Sequence, residues 1–128
     1  MRVLLDTHAL LWWFTDDPRL SQRARDTIAN EANAVVVSAA SAWEIATKHR
    51  LGKLNEAADA VDRFGELVAA DGFVHLPITH YHSLRAGAYP TEHRDPFDRM
   101  LAAQSELESL PLLTCDPAFA LFGVKTIW

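Results

Sequence analysis

Val3-Leu4-Leu5 and Ala34-Val35-Val36-Val37 are continuous apolar runs with no polar face. The pattern suits strands covered on both faces, and the β-branching of the second run strengthens that reading. Phe73-Val74-His75-Leu76, closed by Pro77, reads as a third strand, Leu112-Leu113-Thr114 as a fourth and Val124-Lys125-Thr126-Ile127 as a shorter fifth. Helical patterns stand between them. His8 to Phe14 is apolar nearly all round, which places it in the core or in an interface. Ser21 to Asn30 is polar and helical, with Leu20, Ala24 and Ile28 recurring every four residues. Ser38 or Ser41 is expected to cap a helix that carries Trp43, Glu44 and Ile45 and stops near Gly52. Glu56 to Ala70 reads as one long amphipathic helix on Ala57, Val61, Phe64 and Val68. Thr79 caps a short helix ending at Gly87, and Asp95-Pro96 opens another that runs to about Leu107. Strands alternating with helices of this length mean an α/β fold with a mostly parallel sheet. With 128 residues and no internal repeat or linker, residues 1–128 are expected to form a single domain.

The chain is 49% apolar and 23% charged, an ordinary soluble composition. Its longest apolar stretch, Ala9 to Phe14, is far too short to span a bilayer. Asp6 and His8 interrupt the apolar start, so no leader peptide is expected. The single cysteine, Cys115, excludes an intramolecular disulfide and a cysteine-rich zinc site, and its strand-like position predicts a buried small apolar residue. These features point to a cytoplasmic protein with no membrane association. The formal net charge of -5 argues against holding nucleic acid mainly on a basic surface. It leaves a nuclease open, because an acidic centre that binds divalent metal turns cationic toward phosphate.

In a parallel sheet, strand C-termini and the helix starts that follow them crowd one edge. Asp6 ends the first apolar run and Asp116 the last strong one, while Glu44 and Asp98 lie within a turn or two of a helix start. Each acid also has an ordinary role. Asp6 and Asp116 could be N-caps, Asp98 could close a capping box with Asp95, and Glu44 could pair with Lys48 on a helix surface. Taken together they suggest more. Asp6 and Glu44 adjoin Leu5 and Trp43 in segments too hydrophobic for a solvated face, and a half-buried carboxylate is costly unless paired or metal-bound. Most basic residues lie elsewhere in the chain, so the acids are expected to lack cationic partners. Hard oxygen donors then favour Mg²⁺ or Mn²⁺, and such a site suits phosphodiester hydrolysis.

Leu4-Leu5-Asp6-Thr7-His8, Ser41-Ala42-Trp43-Glu44-Ile45 with Lys48, Gly52-Lys53-Leu54, His93-Arg94-Asp95-Pro96-Phe97-Asp98-Arg99 and Leu113-Thr114-Cys115-Asp116 resemble the PIN-domain ribonucleases. The nearer resemblance is to VapC-type toxins of bacterial toxin–antitoxin pairs, and it covers essentially the whole chain. It implies a three-layer α/β/α sandwich around a mostly parallel sheet of four to five strands. It also implies a Mg²⁺- or Mn²⁺-dependent endoribonuclease that hydrolyses RNA with metal-activated water, leaving a 5′-phosphate and a 3′-hydroxyl. Asp6 and Asp98 would be the direct metal ligands, with Glu44 and Asp116 completing the site. Thr7 and Thr114 would orient a carboxylate or water. Asp95 is ambiguous, since an N-cap before Pro96 accounts for it. The resemblance further implies a homodimer and a VapB-type antitoxin as partner.

Lys48, His49, Arg50 and Lys53 form a basic run just after Glu44. It serves either as a helix end favoured by the dipole or as a set of phosphate contacts. Lys48, Arg50 and Arg99 are the candidates for RNA phosphate, and Arg94 could serve in the same way. His80 and His82 do not share a helix face, so with His75 they read as surface or core residues. The block Trp12-Trp13-Phe14 reads as core or partner interface. A receiver-type signalling domain would need an aspartate ending a mid-chain strand, and the polar segment Lys48 to Asn55 has none. The remaining alternative is a catalytically silent PIN-like module that only binds RNA or protein.

Overall fold

The apolar runs form the strands. β1 (Arg2–Leu5), β2 (Ala34–Ser38), β3 (Val74–Leu76), β4 (Leu112–Leu113) and β5 (Thr126–Ile127) make a five-stranded sheet in the order β3-β2-β1-β4-β5. Every pairing is parallel: Val3 lies beside Val35, Leu4 beside both Val36 and Leu112, and Val37 beside His75. This computed structural model describes residues 1–128, with the side chain of Glu56 left aside. The helices are α1 (Thr7–Phe14), α2 (Gln22–Ala29), α3 (Ala39–Arg50), α4 (Ala58–Asp62), α5 (Phe64–Ala70), α6 (His80–Ala88) and α7 (Pro96–Leu107). Short 3₁₀ turns cover Asn55–Ala57 and Pro117–Phe122.

Side chains alternate across a strand, so the central strand feeds two cores. Val3, Leu5, Val35 and Val37 pack with Leu10, Ala24, Ile28 and Val68 from α1, α2 and α5. Leu4, Val36 and Leu112 face the other way, onto Ala86 of α6 and Met100 and Leu101 of α7. The result is three layers, α/β/α. Burial on both faces is why these strands carry no alternation of polar and apolar residues.

Two local expectations change. The long helix over 56–70 is broken: α4 ends at Asp62, Arg63 adopts φ -127° and ψ 25°, and α5 starts at Phe64. Those angles lie outside the helical well, and Gly65 adds little propensity to carry a helix across the break. The fourth and fifth strands are also shorter than their apolar runs, β4 ending at Leu113 and β5 starting at Thr126.

Ser38, and not Ser41, caps α3. Its Oγ accepts from Ala40 N–H at 2.9 Å and donates to Oε1 of the fully buried Gln104 on α7. Gln104 in turn donates to Pro77 O at 3.3 Å. Ser41 accepts a 3.0 Å bond from Thr7 Oγ1, which ties α3 to α1. Helices on opposite faces are therefore joined through buried polar contacts above the strand ends. Replacing Ser38 with Ala removes a cap and leaves a buried amide oxygen without its donor. The expected cost is roughly 2–4 kcal/mol, read from urea unfolding; a loss below about 0.5 kcal/mol would show that Gln104 finds another partner at little cost.

Candidate active site

The strand order reverses direction between β1 and β4. In open parallel sheets the crevice outside the strand C-termini at such a point is where ligands bind. Asp6 directly follows β1, and Thr114 and Asp116 directly follow β4. α3 starts straight from β2 and carries Glu44 in its second turn, while α7 carries Asp98 in its first.

Asp6 is only 5% exposed. Its Oδ1 accepts from Ala9 N–H at 2.7 Å, so it does cap α1. Its Oδ2 accepts from the Thr114 hydroxyl across the strand boundary. Thr114 Oγ1 also accepts from Asp116 N–H at 3.0 Å, so one hydroxyl links two of the acids. Asp116 is exposed and caps the last 3₁₀ turn through Ala118 N–H at 2.9 Å. For both aspartates, the capping role and the place in the crevice coexist.

Glu44 is 3% exposed and forms an ion pair with Lys48. The expected i,i+4 pair exists, but its acid is buried and not on the helix surface. Asp95 caps α7, accepting from Phe97 N–H at 2.9 Å and Asp98 N–H at 3.1 Å. Asp98 does not complete a capping box. Its carboxylate turns instead to His93, whose Nε2–H donates to Oδ2 at 2.8 Å. Lys48 and His93 correct the expectation that the acids lack cationic or donor partners. His93 was legible only as a member of the His93-to-Arg99 motif, because nothing in local spacing shows that its ring folds back onto Asp98.

Arg99 corrects another expectation. All five of its N–H donors reach backbone carbonyls: Ala86, Gly87, Tyr89, Thr91 and His93, at 2.7–3.3 Å. None is left for an RNA phosphate. Arg50 sits exposed at the end of α3, and Arg94 is also exposed. Cys115 is exposed and not buried, since Thr114 takes the inward position at the end of β4. Partial desolvation, and then the Asp6 charge, holds its thiol above the ordinary value. His82 is a core residue, accepting from Thr79 N–H at 3.0 Å and donating to Glu108 at 2.9 Å.

The electrostatics tie the acids into one field. Burial pushes the Asp6 carboxyl up, opposed by the Thr114 and Ala9 bonds and reinforced by Glu44. Burial also pushes Asp98 up to about 6, with Asp95, Glu44 and Asp116 adding to the rise against the His93 bond. Desolvation works against the Lys48 ammonium, but Glu44, Asp95 and Asp98 together outweigh it and leave Lys48 raised. Among the described residues, no three acid, histidine or cysteine side chains are gathered into a ready-made metal cage. The donor set nevertheless fits a hard divalent ion: it offers carboxylate oxygens that raise one another's proton affinity, and a cation would relieve that strain.

The model of the PIN domain family matches residues 3–125. No curated protein sequence matches the chain. Among solved structures, a chain of VapBC2 from Rickettsia felis bound to a DNA fragment from its promoter is similar, with TM-score 0.70 and 13% identity. That likeness covers 100% of this chain and 98% of the other. A chain of a toxin–antitoxin complex from Klebsiella pneumoniae is similar with TM-score 0.57 and 21% identity, over 89% of this chain and 86% of that one. At these identities the likeness is one of fold.

The raised acids set a pH dependence for metal-free protein. A carboxyl with a raised folded pKa adds stability that is fully present below the unfolded value, about 4. That stability is lost as pH rises through the folded value, about 6 for Asp98. Asp98→Asn should therefore gain melting temperature relative to the parent protein between about pH 4 and pH 7. Millimolar Mn²⁺ should reverse the order at neutral pH by stabilising the parent alone. Melting curves of the two proteins with and without Mn²⁺ check this; a gap that ignores both pH and metal would remove the shared cation site.

Proposed function

Because the chain belongs to the PIN domain family, we propose that it is a divalent-metal-dependent endoribonuclease and the toxin of a VapBC-type toxin–antitoxin pair. The observation that carries this reading is that Asp6 and Asp116 follow the two strands at the sheet's switch point while α3 and α7 carry Glu44 and Asp98 near enough for the acids' charges to act on one another. Asp6 and Asp98 would hold Mg²⁺ or Mn²⁺, with Glu44 and Asp116 completing the site. The ion, when bound, supplies Lewis acidity for water attack on phosphorus and for charge on the leaving oxygen.

The chain's own groups prepare that chemistry. Thr114 holds Asp6 by its hydroxyl and Asp116 by its backbone N–H. Thr7, bonded to Ser41, fixes the start of α1 against α3, so Asp6 and Glu44 keep their separation. Asp95 is engaged as the cap of α7 and serves the site through the placement of Asp98. Lys48 stabilises Glu44, and on this reading Lys48 or Arg50 would contact RNA phosphate. The acidic chain as a whole repels RNA, so binding depends on this local positive charge and on the metal.

An antitoxin partner belongs to the same proposal, supported by the toxin–antitoxin assemblies from which the two similar structures come; a homodimer is proposed with it from the family resemblance alone. Among the described residues no helix is long and apolar enough to cross a membrane. A cytoplasmic location is part of the proposed toxin reading. The decisive experiment is cleavage of a mixed cellular RNA by purified protein. Cleavage should vanish in EDTA, return with Mn²⁺ or Mg²⁺, and be absent in Asp98→Asn, which should also lose growth inhibition. RNA retained without cleavage in the parent protein would instead mark a binding-only module.

A further inference from the structure

The connection between α6 and α7, residues 89–95, is wound around a single side chain. Arg99 Nε donates to Ala86 O at 2.8 Å, and Nη2 donates to Gly87 O at 3.3 Å and Tyr89 O at 2.7 Å. Nη1 donates to Thr91 O at 3.1 Å and His93 O at 2.8 Å. Capping the carbonyls left open at the end of α6 accounts for the bonds to Ala86 and Gly87. The others run along the connection and finish on His93.

The His93 ring is held separately. It stands edge-on to Phe122, with centroids 5.7 Å apart and planes at 84°, and its Nε2 meets Asp98 Oδ2 at 2.8 Å. The backbone of His93 is thus fixed by α7, its ring by the last 3₁₀ turn, and its free nitrogen by one oxygen of one acid. The bond occupies Oδ2 of Asp98 and leaves Oδ1. A carboxylate on an otherwise free side chain loses rotamer freedom when it binds an ion, and a donor that orients it beforehand reduces that loss.

We propose that His93 is a positioning residue of the acidic site, presenting Oδ1 of Asp98 to the divalent ion, and that Arg99 and Phe122 hold His93 for this task. The inference rests on the metal-site reading above. Its test is Mn²⁺ binding to the full chain, followed by calorimetry and by the paramagnetic resonance of free Mn²⁺, with no RNA present. His93→Leu should weaken Mn²⁺ roughly 10- to 100-fold while the melting temperature of the metal-free protein stays near that of the parent. His93→Gln, whose amide N–H also donates to a carboxylate, should stay within a few-fold of the parent. Arg99→Lys, with no planar fork to span the carbonyls, should weaken binding as well. If that variant fails to fold, the two His93 variants still decide the matter.

Parent-like or tighter binding in His93→Leu, alongside lost binding in Asp98→Asn, overturns this inference and leaves the metal site standing. Parent protein that binds no Mn²⁺, or Asp98→Asn that binds it as well as the parent, overturns the metal site and the role of His93 with it. Equal weakening in His93→Leu and His93→Gln also overturns the inference, since it would show that ring packing matters and the donated bond does not.

Discussion

A carboxylate at the end of a strand buried on both faces sets the terms for everything around it. β1 is covered by helices above and below and flanked by β2 and β4, so the acid that follows it has little access to water. An ionised group there needs donors or a cation. Asp6 takes one donor from the first turn of α1 and one from Thr114 at the end of β4. The first bond fixes where α1 starts. The second fixes how β4 ends beside β1, and through Thr114 it also holds the backbone at Asp116. Two of the four acids are therefore placed by the solvation needs of the first.

The other two arrive on helices whose positions are tied by buried polar contacts. Ser38 links the start of α3 to Gln104 on α7, and Ser41 links α3 to Thr7. Acids carried on pinned helices keep their spacing better than acids on loops. The connection before α7 is the exception that needs its own device. A stretch without regular backbone pairing would be mobile, and the Arg99 guanidinium supplies the donors that a sheet or helix would otherwise provide.

The solved structures that share this fold do so at 13% and 21% identity. A sheet buried on both faces asks only for apolar residues of suitable size at the right period, so many sequences satisfy it. Function asks for much more, because a fold hosts many activities. On the proposed function that demand falls on a few side chains and on what orients them.

Local sequence alone settled the strands and most helix starts. Unbroken β-branched and leucine runs, proline at first helical positions, and serine, threonine or aspartate caps act over a few residues. The four acids were legible as well, because strand ends and helix starts share one edge whatever the strand order. Tertiary structure decided which partner each acid meets. Lys48 turned out to pair with a buried Glu44, and Asp98 left its capping box for His93. Arg99 reads in sequence as a free cation beside an acidic motif, and only the fold shows its guanidinium enclosed by carbonyls from 86 to 93. The exposure of Cys115 was likewise decided by packing, since Thr114 takes the inward position beside it. The reason is common to all of these. Periodicity and capping depend on neighbours along the chain, whereas the direction of a polar side chain depends on which donors and charges the assembled layers bring within reach.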